Sequence, residues 1–271
     1  MPELPEVETS LRGITPYIEK QSVTKVTIRH PTLRWPIPVE LPELIEQQTL
    51  NHLTRRAKYL LLHFNTGTLL IHLGMSGSLR VITEDSPIQK HDHFDLFFAN
   101  NKGIRLTDPR RFGAVLWLGS DPYQHSLLVN LGPEPLNDDF TGAYLYQVSR
   151  NKKVSIKQFL MNQKIVTGVG NIYCTEVLFD SGINPLRAAG NISLIRYQAL
   201  AENIKKTLSL AIEKGGTSLR NFVGSDGKPG YFKQELNAYG HSGEPCINCQ
   251  NILIDIKQSN RTTVYCKHCQ T

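Results

Sequence analysis

Two groups of residues in this chain could do chemistry. The chain opens MPELPEVET, and removal of the initiator Met1, which the small ring of Pro2 favours, would leave a secondary amine followed directly by Glu3. A terminal amine has an intrinsic pKa of about 8, so a useful fraction is neutral near physiological pH. A helix N-terminus just beyond it disfavours the ammonium and lowers that value further. Such an amine beside a carboxyl group can attack an electrophilic carbon. With a sugar aldehyde equivalent it gives an iminium that acidifies the neighbouring C–H and makes elimination easy. The second group is Cys246, Cys249, Cys266 and Cys269, arranged as CINC and CKHC pairs with sixteen residues between them. That spacing falls inside the window of a four-cysteine zinc site, with two disulfides as the competing arrangement. Four thiolates close a zinc ion's coordination shell, so one zinc ion here would be structural and leave no position for a catalytic water.

The elements that must position these groups are partly legible. Val7, Leu11, Ile14 and Ile18 recur on one helix face, with Pro5 suited to a first helical position and Glu6 and Glu8 to the positive end of the dipole, so a helix is predicted over about 5–19. From about 22 to 118 the segments SVTKVTIRH, KYLLLHF, TLLIHL, SLRVI, FDLFFA, GIRLT and AVLWL read as strands, with turn signals at Asn65 and Asn100; this implies an antiparallel sandwich or flattened barrel. Beyond LGPEPL (131–136) the pattern turns helical in SIKQFLMNQKIV, NIYCTEVLFDSG and a longer helix capped by Ser193 and ended by Gly215. Between the cysteine pairs, NILIDIK and TTVY read as two strands around a turn at Ser259 and Asn260, a hairpin that zinc would pin.

A formal charge of +6 and a pI near 9.0 favour a polyanionic partner, and the run 150–164 holds Arg150, Lys152, Lys153, Lys157 and Lys164 without an acid. No stretch approaches the roughly 20 apolar residues of a membrane span and no signal peptide is evident, which predicts a cytosolic, cytoplasmic protein. TGVGNIY lacks the third glycine of a dinucleotide loop, and GMSGS lacks the spacing of a hydrolase elbow. His91 and His93 in KHDHFD could share a metal, but no third ligand accompanies them and polar surface histidines are the simpler account. Cys174 reads as a packed core thiol.

Taken in order, MPELPEVET, RRAKYLLL (55–62), HLGMSGSL (72–79), KHDHFD (90–95), TDPRRFGA (107–114), LGPEPL, GVGNIY (168–173), SDGKPGYF (225–232) and the four-cysteine hairpin resemble the bacterial formamidopyrimidine-DNA glycosylase family over nearly the whole chain. The resemblance implies an α+β multidomain fold. Its parts would be an N-terminal catalytic β-sandwich with an N-terminal helix (1–135), a helical helix-two-turn-helix DNA-binding domain (136–236) and a C-terminal zinc hairpin (237–271). It implies a bifunctional glycosylase and abasic-site lyase of base excision repair, acting as a monomer on damaged double-stranded DNA. Such an enzyme removes oxidised purines such as 8-oxoguanine and formamidopyrimidines, then cuts the strand by β,δ-elimination.

By the same resemblance Pro2 is the nucleophile at the sugar C1′, Glu3 the acid that helps open the ring, and Lys58 a proton donor and phosphate contact. Met75, Arg110 and Phe112 would fill the gap left by the extruded nucleotide, two by stacking and the arginine by hydrogen bonding the orphaned base. His91, Arg111, Lys152 and Asn171 would contact the DNA backbone, and Arg261, at the hairpin tip, would contact phosphate and assist δ-elimination. The basic run 150–164 would lie on the DNA-binding face, and the stretch 215–232 would be the loop covering the extruded base. A noncatalytic zinc-containing nucleic-acid binder accounts for charge and cysteines, but gives no reason for Pro2 to precede Glu3 or for Lys58.

Overall fold

In the computed structural model, residues 2–217 and 235–271 are described. The chain divides into two compact units, one holding residues 2–129 with 214–217 and the other Asn130–Glu213 with residues 235–271.

The first unit begins with α1 (Leu4–Ile18), followed by β1 (Val23–Ile28), a short α2 (Leu41–Ile45), and β2 (His52–Arg56), β3 (Tyr59–His63), β4 (Thr68–His72), β5 (Ser78–Ile82), β6 (Asp92–Phe98), β7 (Gly103–Thr107) and β8 (Ala114–Leu118). The eight strands form two antiparallel four-stranded sheets, ordered β1-β6-β7-β5 and β2-β3-β4-β8. Their inner faces share one core, in which Leu60, Leu62, Leu69 and Ile71 of one sheet meet Phe94, Leu96, Phe98 and Ile104 of the other. The apolar stripe of α1 joins that core through Val7, Ile14 and Ile18, and the helix packs on β2, β3, β5 and β7. The continuous apolar run YLLLH matches a strand whose three central residues, Leu60, Leu61 and Leu62, are all fully buried, so both faces of β3 are covered.

The second unit contains α3 (Gly142–Ser149), α4 (Ile156–Leu160), α5 (Asn171–Asp180), α6 (Leu194–Glu213), β9 (Ile254–Gln258) and β10 (Arg261–Tyr265). The oxygens of Ser193 cap α6 as the sequence predicts, and Gly215, at φ +76, lies in the left-handed conformation that follows its end. Ser259 (φ +47) and Asn260 (φ +60) both adopt left-handed backbone between β9 and β10, the geometry that a two-residue hairpin turn requires.

Three expectations need correction. The segment HLTRR forms β2, which the strand pattern did not reveal because His52, Thr54 and Arg56 alternate with few apolar residues. The helix expected over SIKQFLMNQKIV ends at Leu160, and GAYLYQVS forms α3 instead. Pro5 occupies the second helical position, after Leu4.

Candidate functional site

The amino terminus is fixed by a reciprocal cap. Glu3 is the N-cap of α1; its side chain accepts from the Glu6 backbone N–H, while Glu6 Oε2 accepts from the Glu3 N–H at 2.8 Å. This satisfies two of the helix's orphan donors and holds Pro2 and Glu3, both buried, at the helix start. Glu6 therefore does more than complement the dipole. Its Oε1 also accepts from the Thr217 N–H (2.8 Å) and hydroxyl (2.6 Å), and Gly216, at φ +79, leaves room for it: a Cβ there would lie 3.1 Å from the same oxygen. Residues 216 and 217 lie near the start of the stretch 215–232 that is expected to cover an extruded base. Residues 218–232 of that stretch lie outside the described residues.

Lys58 sits in the β2–β3 turn and is 9 % exposed. Ala57 before it takes φ +53, and its carbonyl accepts from Arg55 Nη1 (2.8 Å), while Arg55 Nε donates to Glu8 Oε2 on α1 (2.9 Å). One guanidinium thus ties the Lys58 turn to a point five residues, or about 7.5 Å of helix rise, beyond Glu3. The Glu8 carboxyl is partly buried, which works against its charge, but hydrogen bonds from Arg55 and Arg12 and their charge outweigh that and hold it below the usual glutamate range.

His72 is a residue that sequence reasoning missed. It pairs across the sheet with Tyr59, next to Lys58, and its Nδ1 accepts from the Gly74 N–H at 3.2 Å. Burial above all, then the charges of Lys58 and Arg34, push its pKa down to about 4 against the opposing pull of Asp108. A neutral imidazole therefore stands in a positive field beside Lys58. Its only sequence signal was its place at the head of HLGMSGSL.

Met75, Arg110 and Phe112 are brought together. Met75 is 40 % and Phe112 45 % exposed, and the Arg110 guanidinium lies 4.8 Å from the Phe112 ring centre. Arg111 takes φ +56, and its Nη1 lies 2.6 Å from His30 Nε2. The His91 backbone carbonyl accepts from the Asp108 N–H, which puts KHDHFD beside the same turn. His93, expected at the surface, is buried, with Nε2 2.9 Å from the Asp108 carbonyl oxygen.

In the second unit, Asn171 is the first residue of α5 after the turn at Gly168 (φ +76), and its Nδ2 donates to the Thr262 carbonyl at 3.1 Å. Arg261, exposed at the start of β10, is thereby held close to the α5 N-terminus, a natural anion-binding element. Lys152 is exposed on the α3–α4 connection. The run 150–164 is not one exposed face. Lys157 is 1 % exposed, donating to Thr175 Oγ1 (3.0 Å) and Thr263 Oγ1 (2.8 Å), and Arg150 caps carbonyls of Tyr146 and Ile192. The pattern failed here because neighbours on β10 and α5 bury one lysine of an otherwise solvated segment. A second buried group escaped the sequence reading: Glu176, within the apolar α5, accepts N–H bonds from Asn237, Ala238 and Tyr239 and so anchors the strand of chain entering the hairpin.

The four cysteine sulfurs lie within 4.8 Å of one another, with Cys246–Cys269 at 3.9 Å and Cys249–Cys266 at 3.5 Å. A tetrahedron with Zn–S bonds of about 2.3 Å has edges of about 3.8 Å, so the cage fits one zinc ion, while these separations are far beyond a disulfide bond. Both CxxC arms fold alike: Gln250 N–H donates to the Cys246 carbonyl and Gln270 N–H to that of Cys266. Asn251 Nδ2 and the Cys269 N–H donate to the sulfurs of Cys249 and Cys266, the support that ligating thiolates require. This is the chain's structural zinc site, and among the described residues no other cluster of metal-ligating side chains occurs.

A two-sheet sandwich opened by a helix capped at Glu3, a helical unit and a four-cysteine hairpin have together the architecture of a DNA-repair glycosylase, and comparison with known proteins agrees. Residues 1–115 match the formamidopyrimidine-DNA glycosylase N-terminal domain, 131–223 that enzyme's H2TH domain, and 243–271 the zinc finger found in FPG and IleRS. The formamidopyrimidine-DNA glycosylases of Psychromonas ingrahamii and Marinobacter nauticus are 58% and 55% identical, each over 100% of both chains. Among solved structures, a Lactococcus lactis enzyme bound to DNA containing an abasic site superposes with a TM-score of 0.92 at 32% identity, covering 99% of both chains. The Thermus thermophilus enzyme gives 0.89 at 31%, over 99% of this chain and 98% of that one. The chain belongs to the formamidopyrimidine-DNA glycosylase family. Among the described residues, no helix is long and apolar enough to cross a membrane.

Proposed function

We propose that this chain is a bifunctional glycosylase and abasic-site lyase that removes formamidopyrimidines and 8-oxoguanine from double-stranded DNA. The observation that carries the reading is the buried Pro2–Glu3 start of a capped helix, tied through Glu8 and Arg55 to the turn that holds Lys58. Once Met1 is removed, the Pro2 nitrogen attacks C1′ of the extruded nucleotide as the bond from C1′ to the base breaks, the electron pair leaving with the base. Glu3 gives a proton to the ring oxygen, the sugar opens, and an iminium links Pro2 to C1′. Loss of a 2′ proton then expels the 3′ phosphate, and a second elimination expels the 5′ phosphate. Lys58 handles protons and holds phosphate during these steps.

Met75, Arg110 and Phe112 fill the vacated stack, offsetting the few kcal/mol that extrusion costs. His91, Arg111 and Lys152, with Asn171 and Arg261 at the α5 N-terminus, hold the phosphates, and Arg261 assists the second elimination. The zinc hairpin supplies no catalytic metal and presents Arg261. The reaction places the protein with DNA in the bacterial cytoplasm.

The test is borohydride trapping on duplex DNA with one lesion opposite cytosine, using wild type and Pro2→Gly, with intact mass to establish that Met1 is gone. A covalent adduct on the N-terminal peptide in wild type, diminished in the variant, is expected. Binding without trapping or cutting on any oxidised base would overturn the reading in favour of a noncatalytic DNA binder. Trapping on oxidised pyrimidines alone would overturn the lesion assignment.

A further inference from the structure

Asp108 differs from the other acids of its sheet. Asp92 and Asp95 are buried and paired with arginines: Arg80 and Arg105 for the first, Arg29 and Arg105 for the second. Asp108 is also fully buried, yet among the described residues no cation pairs with it. Its Oδ1 accepts from the Ser76 hydroxyl (2.8 Å) and the Arg110 N–H (3.3 Å), and its Oδ2 from the Gly113 N–H (2.8 Å). Ser76 Oγ in turn accepts from the Arg110 N–H at 3.2 Å. A buried carboxyl group bonded only to a hydroxyl and two backbone amides sets geometry, because each donor is fixed in the chain and none is a mobile charge.

Those donors belong to two different loops. One is GMSGS, which carries Met75, and the other is DPRRFG, which carries Arg110 and Phe112. The loops touch backbone to backbone: a Cβ on Gly74 would lie 2.4 Å from the Gly113 nitrogen, and one on Gly113 would lie 2.7 Å from the His72 carbonyl oxygen. Arg111, within the second loop, takes a left-handed φ of +56, a conformation that the surrounding turn must hold in a non-glycine residue. Exposed Met75 and Phe112 therefore stand on one rigid platform whose centre is the Asp108 carboxyl.

We propose that Asp108, through Ser76, is a positioning residue that locks the Met75 loop and the Arg110–Phe112 loop into a single preformed wedge. This rests on the glycosylase reading above. Two side chains that must enter a duplex together lose their advantage if each loop moves independently. A misplacement of about 1 Å can cost about 10²-fold in rate.

The experiment compares single-turnover excision by wild type, Ser76→Ala, Asp108→Asn and Asp108→Ala on two substrates. One carries the lesion paired in duplex DNA; in the other the same lesion is bulged and unpaired, so that extrusion costs least. Melting temperatures accompany each variant. On the paired lesion, Ser76→Ala, which loses one bond to a carboxyl group, is expected to fall about tenfold, and Asp108→Ala further. Asp108→Asn, which can still accept from Ser76, is expected to fall between wild type and Asp108→Ala. On the bulged lesion Ser76→Ala and Asp108→Asn are expected to match wild type. Fluorescence of a 2-aminopurine beside the paired lesion is expected to show slower unstacking with unchanged DNA affinity. An equal loss on both substrates, or no loss for Ser76→Ala, overturns the proposal, and Ser76→Ala decides alone if Asp108→Ala fails to fold. Failure of wild type to excise either lesion would instead sink the glycosylase reading.

Discussion

The sandwich and the zinc hairpin solve the same problem, holding a few side chains at fixed points, by opposite means. In the sandwich a core drawn from both sheets and α1 supplies the rigidity, and buried polar groups then trim individual turns: Glu6 for the amino terminus, Arg55 for the Lys58 turn, Asp108 for the loops of Ser76 and Gly113. The hairpin has almost no core. Leu253, Val264 and two of its own cysteines meet Ala238 and Phe179 of the preceding chain and α5, far too little apolar surface to offset the entropy of ordering about thirty residues. Its geometry comes from sulfur, and from polar ties that dock it on neighbouring helices, Lys157 to Thr263 and Asn171 to the Thr262 carbonyl. A turn on the sandwich can be retuned by one hydrogen bond, whereas the hairpin that carries Arg261 depends above all on its four-cysteine zinc cage.

The largest expected effect follows from that dependence. Zinc binding to isolated structural sites is worth about 10–16 kcal/mol, and where the core is this small that free energy is folding free energy. Chelation or Cys266→Ser is expected to remove stoichiometric zinc, expose the amides of β9 and β10 to hydrogen exchange and weaken DNA binding. The amides of β3, β4 and β6 should keep their protection. Loss of protection in the sandwich strands at the same chelator concentration would break the comparison.

The second expected effect lies within the sandwich. Arg55 has 9 % of its side chain exposed and Glu8 16 %. Arg55→Ala removes one donor from the Ala57 carbonyl and leaves Glu8 with its exposed partner Arg12, so the cost should fall below the roughly 3–5 kcal/mol of breaking a fully buried pair. Chemical denaturation should show that loss. Because the Lys58 turn moves with it, lyase activity on a preformed abasic site should drop more than DNA affinity. Equal losses in the two would mean that Arg55 supports the fold alone.

How much of this was legible in the sequence follows the same division. The cysteine cage, the turn at Ser259 and Asn260, the helix α1 and seven of the sandwich strands could be read locally, because their signals are short-range: spacing, left-handed turn residues, periodicity. The residues that escaped are those whose meaning is set by distant neighbours. Lys157 looked like surface in RNKKVSIKQ, and only threonines from α5 and β10, about a hundred residues on in the second case, bury it. Glu6 and Glu8 looked like dipole-complementing acids, until Thr217 and Arg55 supplied partners outside the helix. His72 had no distinguishing pattern, since its neutrality depends on burial and on Lys58 and Arg34 arriving from other turns.

The smallest expected effect uses acid to probe the sandwich alone. Burial pushes both His72 and His63 down to about 4, from an ordinary value of 6.5; the charges of Lys58 and Arg34 add to it for His72, and that of His52 for His63. Between these values the unfolded chain takes up protons that the folded chain refuses. The stabilisation from keeping the rings neutral is therefore complete above pH 6.5 and is lost progressively as pH falls to about 4. The gap corresponds to about 3 kcal/mol at most for His72, and to less for His63, whose partly exposed ring is screened by solvent. The carboxylates Glu8 and Asp95, held below their usual range by arginine partners, lose their contribution only at lower pH, below 4.5 and 3.8. Melting of the zinc-free Cys266→Ser protein, in which the metal no longer contributes, should thus soften first between pH 6.5 and 4, and His72→Asn should flatten that limb. A limb unchanged by His72→Asn would mean that the imidazole titrates at its ordinary value in the fold, and that the positive field beside Lys58 is open to solvent.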